Sequence, residues 1–380
     1  ALDTNTTASN NTAVGYQSLF ANTTGASNTA VGYASLGANT TGVSNVAVGY
    51  QALDANTTAA NNVAVGDSAL TTNTTGASNT AVGKFALRYN TTASNNTAMG
   101  QNALSANTTG ASNVAVGAST LDANTTGQRN TAVGQQAMGF NTTGDYNTAL
   151  GRDSLHKNTT ADSNTSVGYG ALYENTTGAT NTAVGANSLD ANTTGAANTA
   201  LGNAALGANT TANANTGIGN NALLANTTGT SNSAVGSGAL AANTTASNNT
   251  ALGYNSLGAN TTGAYNTAVG DNAGLSVTTG NYNTLIGAVA GDAITTGTAN
   301  VAIGVSALTT DTLGGNSVAV GMQALMNQNF TSTTSVYNTA VGHAAGASVT
   351  TGTHNTFIGG LSGDANTTGY YNVAVGASAL

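Results

Sequence analysis

The sequence predicts an all-β fold, a parallel β-solenoid of the β-roll or β-helix type built from about 22 seventeen-residue coils. The main observation is a motif, Asn-Thr-Ala-Val-Gly at residues 11–15, whose glycine recurs at Gly32, Gly49 and Gly66 and then at the same interval as far as Gly321. The next interval is longer by four positions, and the motif resumes at Gly342 with the original period. A unit this short cannot bury a hydrophobic face alone, so neighbouring units must stack.

We number the repeat from 1 to 17, starting at the Asn of the motif, so that Asn11 is position 1. A helix is disfavoured by Gly15, by the Asn-Thr-Thr-Gly run at residues 22–25 and by the β-branched residues between. Thr12 and Val14 alternate with their neighbours, which is the period of two of a short strand. Each coil is therefore expected to contain one short strand between turns.

Two apolar columns are predicted to form the core. Position 4 is apolar in all 22 coils, and position 9 is Leu in 17 of them. The predicted core residues from the first coils are Val14, Val31 and Val48 at position 4, and Leu19, Leu36 and Leu53 at position 9.

Four coils carry Gly at position 9 instead of Leu. In three of them the usual Asn at position 12 is replaced by Val277, Ile294 or Val349. Positions 9 and 12 are therefore expected to share one pocket, because an emptied core site would cost about 2–5 kcal/mol. In the fourth coil, that of Gly363, Leu361 is the candidate for compensation.

A ladder of asparagines is predicted along position 1, which is Asn in 21 of 22 coils. Stacked coils lie ~4.8 Å apart, so equivalent Asn side chains can hydrogen-bond and satisfy turn backbone groups. The first members of this ladder are Asn11, Asn28, Asn45 and Asn62.

Charged residues and tyrosines are confined to a few repeat positions. Of the 18 Asp, Glu, Lys and Arg residues, all but Asp311 lie at positions 6, 7, 10, 11, 16 or 17, as do all 13 Tyr. Charges are almost never buried unpaired, so these positions should face solvent or a partner. The candidate contact residues for a cell-surface glycan, a receptor or a neighbouring fibre are Tyr16, Tyr33, Tyr50, Tyr282 and Tyr371; the alternative is that Tyr rings cover Ala-rich surface.

Two segments of one continuous array are expected. Residues 1–270 form a regular solenoid, and residues 271–380 continue it with variant coils and a four-residue insertion near 326–337. The insertion is expected to form a loop. Phe330 within it is expected to fold back on the shaft.

Composition and motifs exclude several functions. The net charge is −8, which argues against nucleic-acid binding, and no apolar run approaches the ~20 residues of a membrane span. The three histidines fall at positions expected to be exposed and pair with no acid, so no enzyme, metal site or cofactor is expected. Rows of Thr leave ice binding as an alternative, and the Asn-Thr-Thr sequons leave a glycan-coated filament.

A single chain buries little. Each coil supplies only about two large apolar side chains, worth roughly 1.5–3 kcal/mol apiece, against the backbone entropy of the whole ordered coil. This deficit favours a homotrimer or a higher fibre assembly, with the Ala faces of the chains packed together.

The motifs resemble a known family of repeats. Asn355-Thr356-Phe357-Ile358-Gly359 and Asn283-Thr284-Leu285-Ile286-Gly287 look like the shaft repeats of phage tail fibres and related surface fibres, which often precede an endosialidase-type chaperone. The repeats are also similar to the heads of trimeric autotransporter adhesins, although those coils are shorter. The resemblance implies a homotrimeric solenoid, extracellular, on a cell surface or on a virion, that provides reach and attachment. The sequence departs from the family in that it contains no chaperone, stalk or anchor. Neither end has the polar cap that a solenoid needs, so we expect the sequence to be an interior piece of a longer chain.

Overall fold

The computed structural model describes residues 1–380 and contains strands and turns but no helix. It is a parallel β-solenoid of about 21 turns with about 17 residues per turn, which confirms the predicted fold class and period. The chain divides into two compact units. Unit 1 comprises Ala1–Asn187 and Ala191–Thr194, and unit 2 comprises Ser188–Asp190 and Gly195–Leu380.

Each coil contributes one three-residue strand, and two further short strands accompany the insertion. The strands of unit 1 are β1 (Thr12–Val14), β2 (Thr29–Val31), β3 (Val46–Val48), β4 (Val63–Val65), β5 (Thr80–Val82), β6 (Thr97–Met99), β7 (Val114–Val116), β8 (Thr131–Val133), β9 (Thr148–Leu150), β10 (Thr165–Val167) and β11 (Thr182–Val184). The strands of unit 2 are β12 (Thr199–Leu201), β13 (Thr216–Ile218), β14 (Ser233–Val235), β15 (Thr250–Leu252), β16 (Thr267–Val269), β17 (Thr284–Ile286), β18 (Val301–Ile303), β19 (Gly314–Gly315), β20 (Val318–Val320), β21 (Thr334–Ser335), β22 (Thr339–Val341), β23 (Thr356–Ile358) and β24 (Val373–Val375).

Neighbouring strands pair in parallel and without offset. Ala13 lies opposite Ala30, and Val14 opposite Val31, so each residue stacks on the residue at the same repeat position in the next coil. The glycine that follows each strand makes this stacking possible. Gly83 has φ +133°, and a Cβ there would lie 2.5 Å from the carbonyl oxygen of Gly100 in the next coil. Only glycine combines this backbone conformation with so close an approach, which explains why every coil has it.

The turns hold non-glycine residues in the left-handed region at positions 7, 9 and 17. In the first complete coil these are Gln17, Leu19 and Ser27, with φ of 56°, 47° and 60°. Such conformations cost about 1–3 kcal/mol each and persist only where the surroundings enforce them. At position 9 the enforcement comes from burial, because Leu19, Leu36 and Leu53 are fully buried. These three core predictions are confirmed.

The prediction for the other column, position 4, is wrong. Val14 is 58% exposed, and Val31 and Val48 are only half-buried. The fully buried strand residue is position 3, for example Ala30 and Ala47. Alternate residues of a strand face opposite sides, so a buried position 3 turns positions 2 and 4 outward.

The interior of a coil is too narrow for large residues at both positions 3 and 9. Two coils show this, because they carry Leu285 and Phe357 at position 3, both fully buried. A Cβ on Gly274 would lie 2.6 Å from Leu285 Cδ1, and one on Gly291 would lie 2.7 Å from its Cδ2. One large residue at position 3 therefore replaces two leucines at position 9.

The same exchange occurs around Phe357. A Cβ on Gly346 would lie 2.9 Å from Phe357 Cδ2, and one on Gly363 would lie 2.3 Å from Phe357 Cδ1. Leu361 is exposed, so its predicted compensation for Gly363 is wrong. Val277, Ile294 and Val349 are fully buried, as predicted, and Ile294 lies beside Gly291. The pocket is thus shared by positions 3, 9 and 12.

The asparagine ladder is confirmed, with more detail than the sequence predicted. Asn28, Asn45 and Asn62 are fully buried and Asn11 is partly buried. The Oδ1 of each accepts a hydrogen bond from the backbone N–H of the next member, at 2.9 Å for Asn11 and Asn28 and 3.0 Å for Asn45. Each coil thereby satisfies a buried donor of the next.

A second ladder runs along position 12. The Nδ2 of Asn39 donates to Asn22 Oδ1 at 2.8 Å and to the carbonyl oxygen of Gly42 at 3.1 Å. In unit 2 this ladder ends at Asn260, whose buried Oδ1 has no partner. The next coil carries Val277 at position 12, so the amide that would donate to Asn260 is missing.

Near the insertion, other polar residues replace the asparagines of the position 12 ladder. Asp311, the one charged residue outside the predicted surface positions, is fully buried at position 12. It accepts hydrogen bonds from the backbone N–H of Gly314 at 2.9 Å and from Gln328 Nε2 at 2.6 Å. Strand β21 pairs with β19, and Phe330 is buried, which confirms that it folds back.

We expect Phe357→Ala to reduce the free energy of unfolding of the surrounding coils by about 3–5 kcal/mol, because glycines on both sides leave a cavity. Adding Gly363→Leu should recover part of the loss, since leucine occupies the same backbone conformation in regular coils. Hydrogen exchange of the β22 and β23 amides measures both effects. Equal exchange in Phe357→Ala and the parent would contradict the pocket described here.

Candidate interaction surface

The outward side chains at positions 2 and 4 of β1–β11 form a continuous surface on unit 1, which we call the aliphatic face. Position 4 supplies Val, Leu or Met, and among β2–β11 the larger side chains are the most exposed, with Met99 43% and Leu150 48% exposed. Position 2 supplies Thr or Val. Unit 2 carries an equivalent face on β12–β18, β20 and β22–β24.

This face is uncharged, and its total extent, threonines included, is comparable with the largest apolar patch of a typical monomer. Eleven strands spaced ~4.8 Å apart, each three residues long, give an area on the order of 500 Å². The largest apolar patch on a typical monomer is ~300–600 Å² and is often functional. No position 2 or 4 carries a charged residue in any coil. The face is therefore suited to an uncharged partner, and it differs from the predicted Ala face because Ala at position 3 points inward.

The tyrosines predicted as contacts are all exposed. Tyr16, Tyr33 and Tyr50 form a stack at position 6, with 5.3 Å between successive ring centroids. In unit 2, Tyr282 stacks on Tyr265 at 5.2 Å, and Tyr371 lies 4.8 Å from the ring of His354. Stacking in register presents these phenols as columns beside the strands, available to a partner.

One histidine differs from its predicted exposure. His156 is buried, with its ring between those of Phe140 at 4.9 Å and Tyr173 at 5.1 Å. Its Nδ1 lies 2.9 Å from the carbonyl oxygen of Gln136. The reason is local, because Gly139 precedes it in the position 10 column and leaves a gap over which the imidazole lies. The sequence feature that indicates this burial is Gly139 followed by Phe140, directly before the coil that contains His156.

Two aspartates at position 10 are partly buried next to a glycine at the same position of a neighbouring coil. Asp54 lies next to Gly37, and Asp122 lies next to Gly139. Burial raises the pKa of Asp54, and a hydrogen bond from the Gly37 backbone opposes the rise. Burial also raises the pKa of Asp122, which its own backbone N–H and the nearby His156 partly offset. Asp122, Gly139 and His156 line a pocket of about 270 Å³.

The structure has no cluster of metal-ligating side chains, and it buries the asparagines of N-glycosylation sequons such as those at Asn39 and Asn56. No group of three or more His, Cys, Asp or Glu could hold a metal ion. None of the chain is a helix of the length and apolarity that crossing a bilayer requires. The Asn side chains of sequons such as those at Asn39 and Asn56 are fully buried and hydrogen-bonded within the position 12 ladder.

The raised pKa of Asp54 predicts a pH dependence of stability. The folded carboxyl binds a proton more readily than the unfolded one, so the destabilisation is absent below the ordinary pKa of 3.8 and complete above the raised folded pKa. Between these limits the free energy of unfolding should fall as pH rises, and Asp54→Asn should remove that component. Denaturant unfolding across this window tests it, with Thr71→Asn as a non-titrating control at the same repeat position. A parallel pH profile for Asp54→Asn and the parent would contradict it.

Comparison with known proteins gave no family assignment: no protein-family model matches the chain, and no curated protein sequence matches it.

Proposed function

We propose that the chain is the structural shaft of an extracellular, cell-surface or virion fibre that provides reach and supports attachment. The observation that carries this proposal is the aliphatic face on a solenoid with a uniform repeat. Each coil is bonded to the next through its strand and its buried asparagines, so repetition of one unit lengthens the array. The resemblance of the motifs to fibre-shaft repeats points the same way.

The assembly proposed is a homotrimer built through the aliphatic face. A partner that covers this face must present an uncharged surface with the same ~4.8 Å spacing, and a second copy of the chain does so along the whole unit. Burying the protruding Met99 and Leu150 side chains removes apolar area from water, at about 25 cal/mol per Å². Three copies allow every chain to contact two others.

Ice binding is the second candidate, and one observation favours it. Position 2 presents an unbroken row of outward threonines on β8–β11, Thr131, Thr148, Thr165 and Thr182, at the regular spacing of the sheet. Position 4 beside this row varies between Val and Leu, which roughens the surface. Both candidates use the same face, so a trimer would cover the row.

The solution mass tests the assembly. We expect the parent to have three times the chain mass of 36.6 kDa in multi-angle light scattering. The triple variant Met99→Lys, Val116→Lys, Val133→Lys should have the mass of one chain, because three buried charges without partners would oppose assembly.

The matched control places the same three lysines two residues later, at the exposed position 6. The variant Gln101→Lys, Ala118→Lys, Gln135→Lys should keep the mass of the parent. A parent with single-chain mass, or a position 4 variant that remains trimeric, would refute the interface. Thermal hysteresis in the single-chain variant but not in a threonine-row variant would favour ice binding instead.

A further inference from the structure

A notch lies on unit 1 where the middle one of three consecutive coils has small residues at positions 7, 10 and 11. Its floor is Ala34, Gly37 and Ala38, and its volume is about 310 Å³. This is near the lower limit of the ~300–1,000 Å³ typical of small-molecule sites. The coils on either side carry larger side chains at positions 7 and 10, so the notch has two walls.

The two walls differ in chemistry. Phe20 and Gln17 line the notch from the preceding coil, and Asp54 and Gln51 line it from the following coil. The walls belong to coils two steps apart, so their backbones are separated by ~10 Å. This spacing leaves room between the side chains for one ring-sized ligand.

We infer that this notch binds a neutral pyranose unit of a surface polysaccharide. Phe20 packs against the C–H face of the sugar ring, and Asp54 accepts hydrogen bonds from ring hydroxyls. The amides of Gln17 and Gln51 each donate and accept, as vicinal hydroxyls require. The inference rests on the attachment role proposed above and assigns it a ligand class.

The surroundings of Asp54 select against acidic ligands, and they lack the aromatic cage that a quaternary ammonium site requires. Its carboxylate repels acidic sugars, and no Lys or Arg lies in the chain before Lys84 to offset it. Sites that recognise quaternary ammonium ions are aromatic cages with several open ring faces. Tyr33, the other aromatic residue of the lining, has both faces covered by Tyr16 and Tyr50.

A second glycine at position 10 in unit 1, Gly139, shows how the notch differs in chemistry from another site of the same backbone geometry. Gly139 lies between Asp122 and His156 in the position 10 column, as Gly37 lies between Phe20 and Asp54. A Cβ on Gly139 would lie 3.1 Å from His156 Nδ1, so an imidazole covers that floor. A Cβ on Gly37 would instead lie 2.5 Å from Asp54 Oδ1, so a hydrogen-bond acceptor stands over the floor of the notch, opposite an exposed Phe20 ring.

The experiment is ligand-observed saturation-transfer NMR on the full chain with methyl glycosides of glucose, galactose and mannose. We expect at least one of them to bind, and Gly37→Leu to weaken it by about tenfold or more, because the side chain fills the notch and displaces the Asp54 carboxylate. Position 10 accepts leucine elsewhere, as Leu224 and Leu275, so the fold tolerates this change. Asp54→Asn, which keeps the shape but loses charge, should weaken binding severalfold.

The matched control is Gly258→Leu, the same substitution at the same repeat position between Ala241 and Leu275, where no carboxylate is present. It should leave binding unchanged. Absence of binding for all three glycosides, equal binding by Gly37→Leu and the parent, or preferential binding of tetramethylammonium would overturn the inference. Light scattering of the same samples distinguishes failure of this inference from failure of the proposed assembly. Loss of the trimer changes the measured mass, whereas loss of the notch changes only the glycoside signals in the NMR experiment.

Discussion

The structure depends on one constraint, which is that every buried amide of a coil must find its partner in the coil beside it. Asn28 and Asn39 illustrate this, since each is fully buried and each is bonded to the equivalent residue one repeat away. A buried amide without a partner costs about 1–3 kcal/mol. Exact repetition of the sequence is the simplest way to meet this demand in every coil, so the fixed period is a hydrogen-bonding requirement as much as a packing one.

Deviations from the repeat show how the constraint is relaxed. Where Val277 interrupts the position 12 ladder, Asn260 Oδ1 loses its donor, and the apolar pocket beside it is rebuilt around Leu285. At the insertion a carboxylate, Asp311, and a longer amide, Gln328, replace the two asparagines and bond to each other. In both cases packing and hydrogen bonding change together, because the two ladders and the apolar column share one narrow interior.

The same narrowness links the core to the candidate function. A coil with Leu at position 9 has room only for a small residue at position 3, so the Val, Leu and Met of position 4 must lie outside. The apolar residues that the chain cannot bury become an uncharged face with a regular spacing. The surface positions that remain carry the tyrosine columns and the position 10 notches, where variation between coils is tolerated and a ligand-specific site can arise.

The sequence by itself determined the period, the parallel stacking, the buried leucine column and the asparagine ladder, because each follows from residue types repeating at fixed spacing. It also placed Tyr16 and Tyr371 on the surface. Only the tertiary structure decided which side of the strand faces inward. Alternation places position 3 on the opposite side of the strand from positions 2 and 4, but it does not indicate which side is buried. Hydrophobicity favours burial of Val14 over burial of Ala13. Interior volume reverses that preference, since Leu19 already fills the space, and volume is a property of the closed coil rather than of any residue in it.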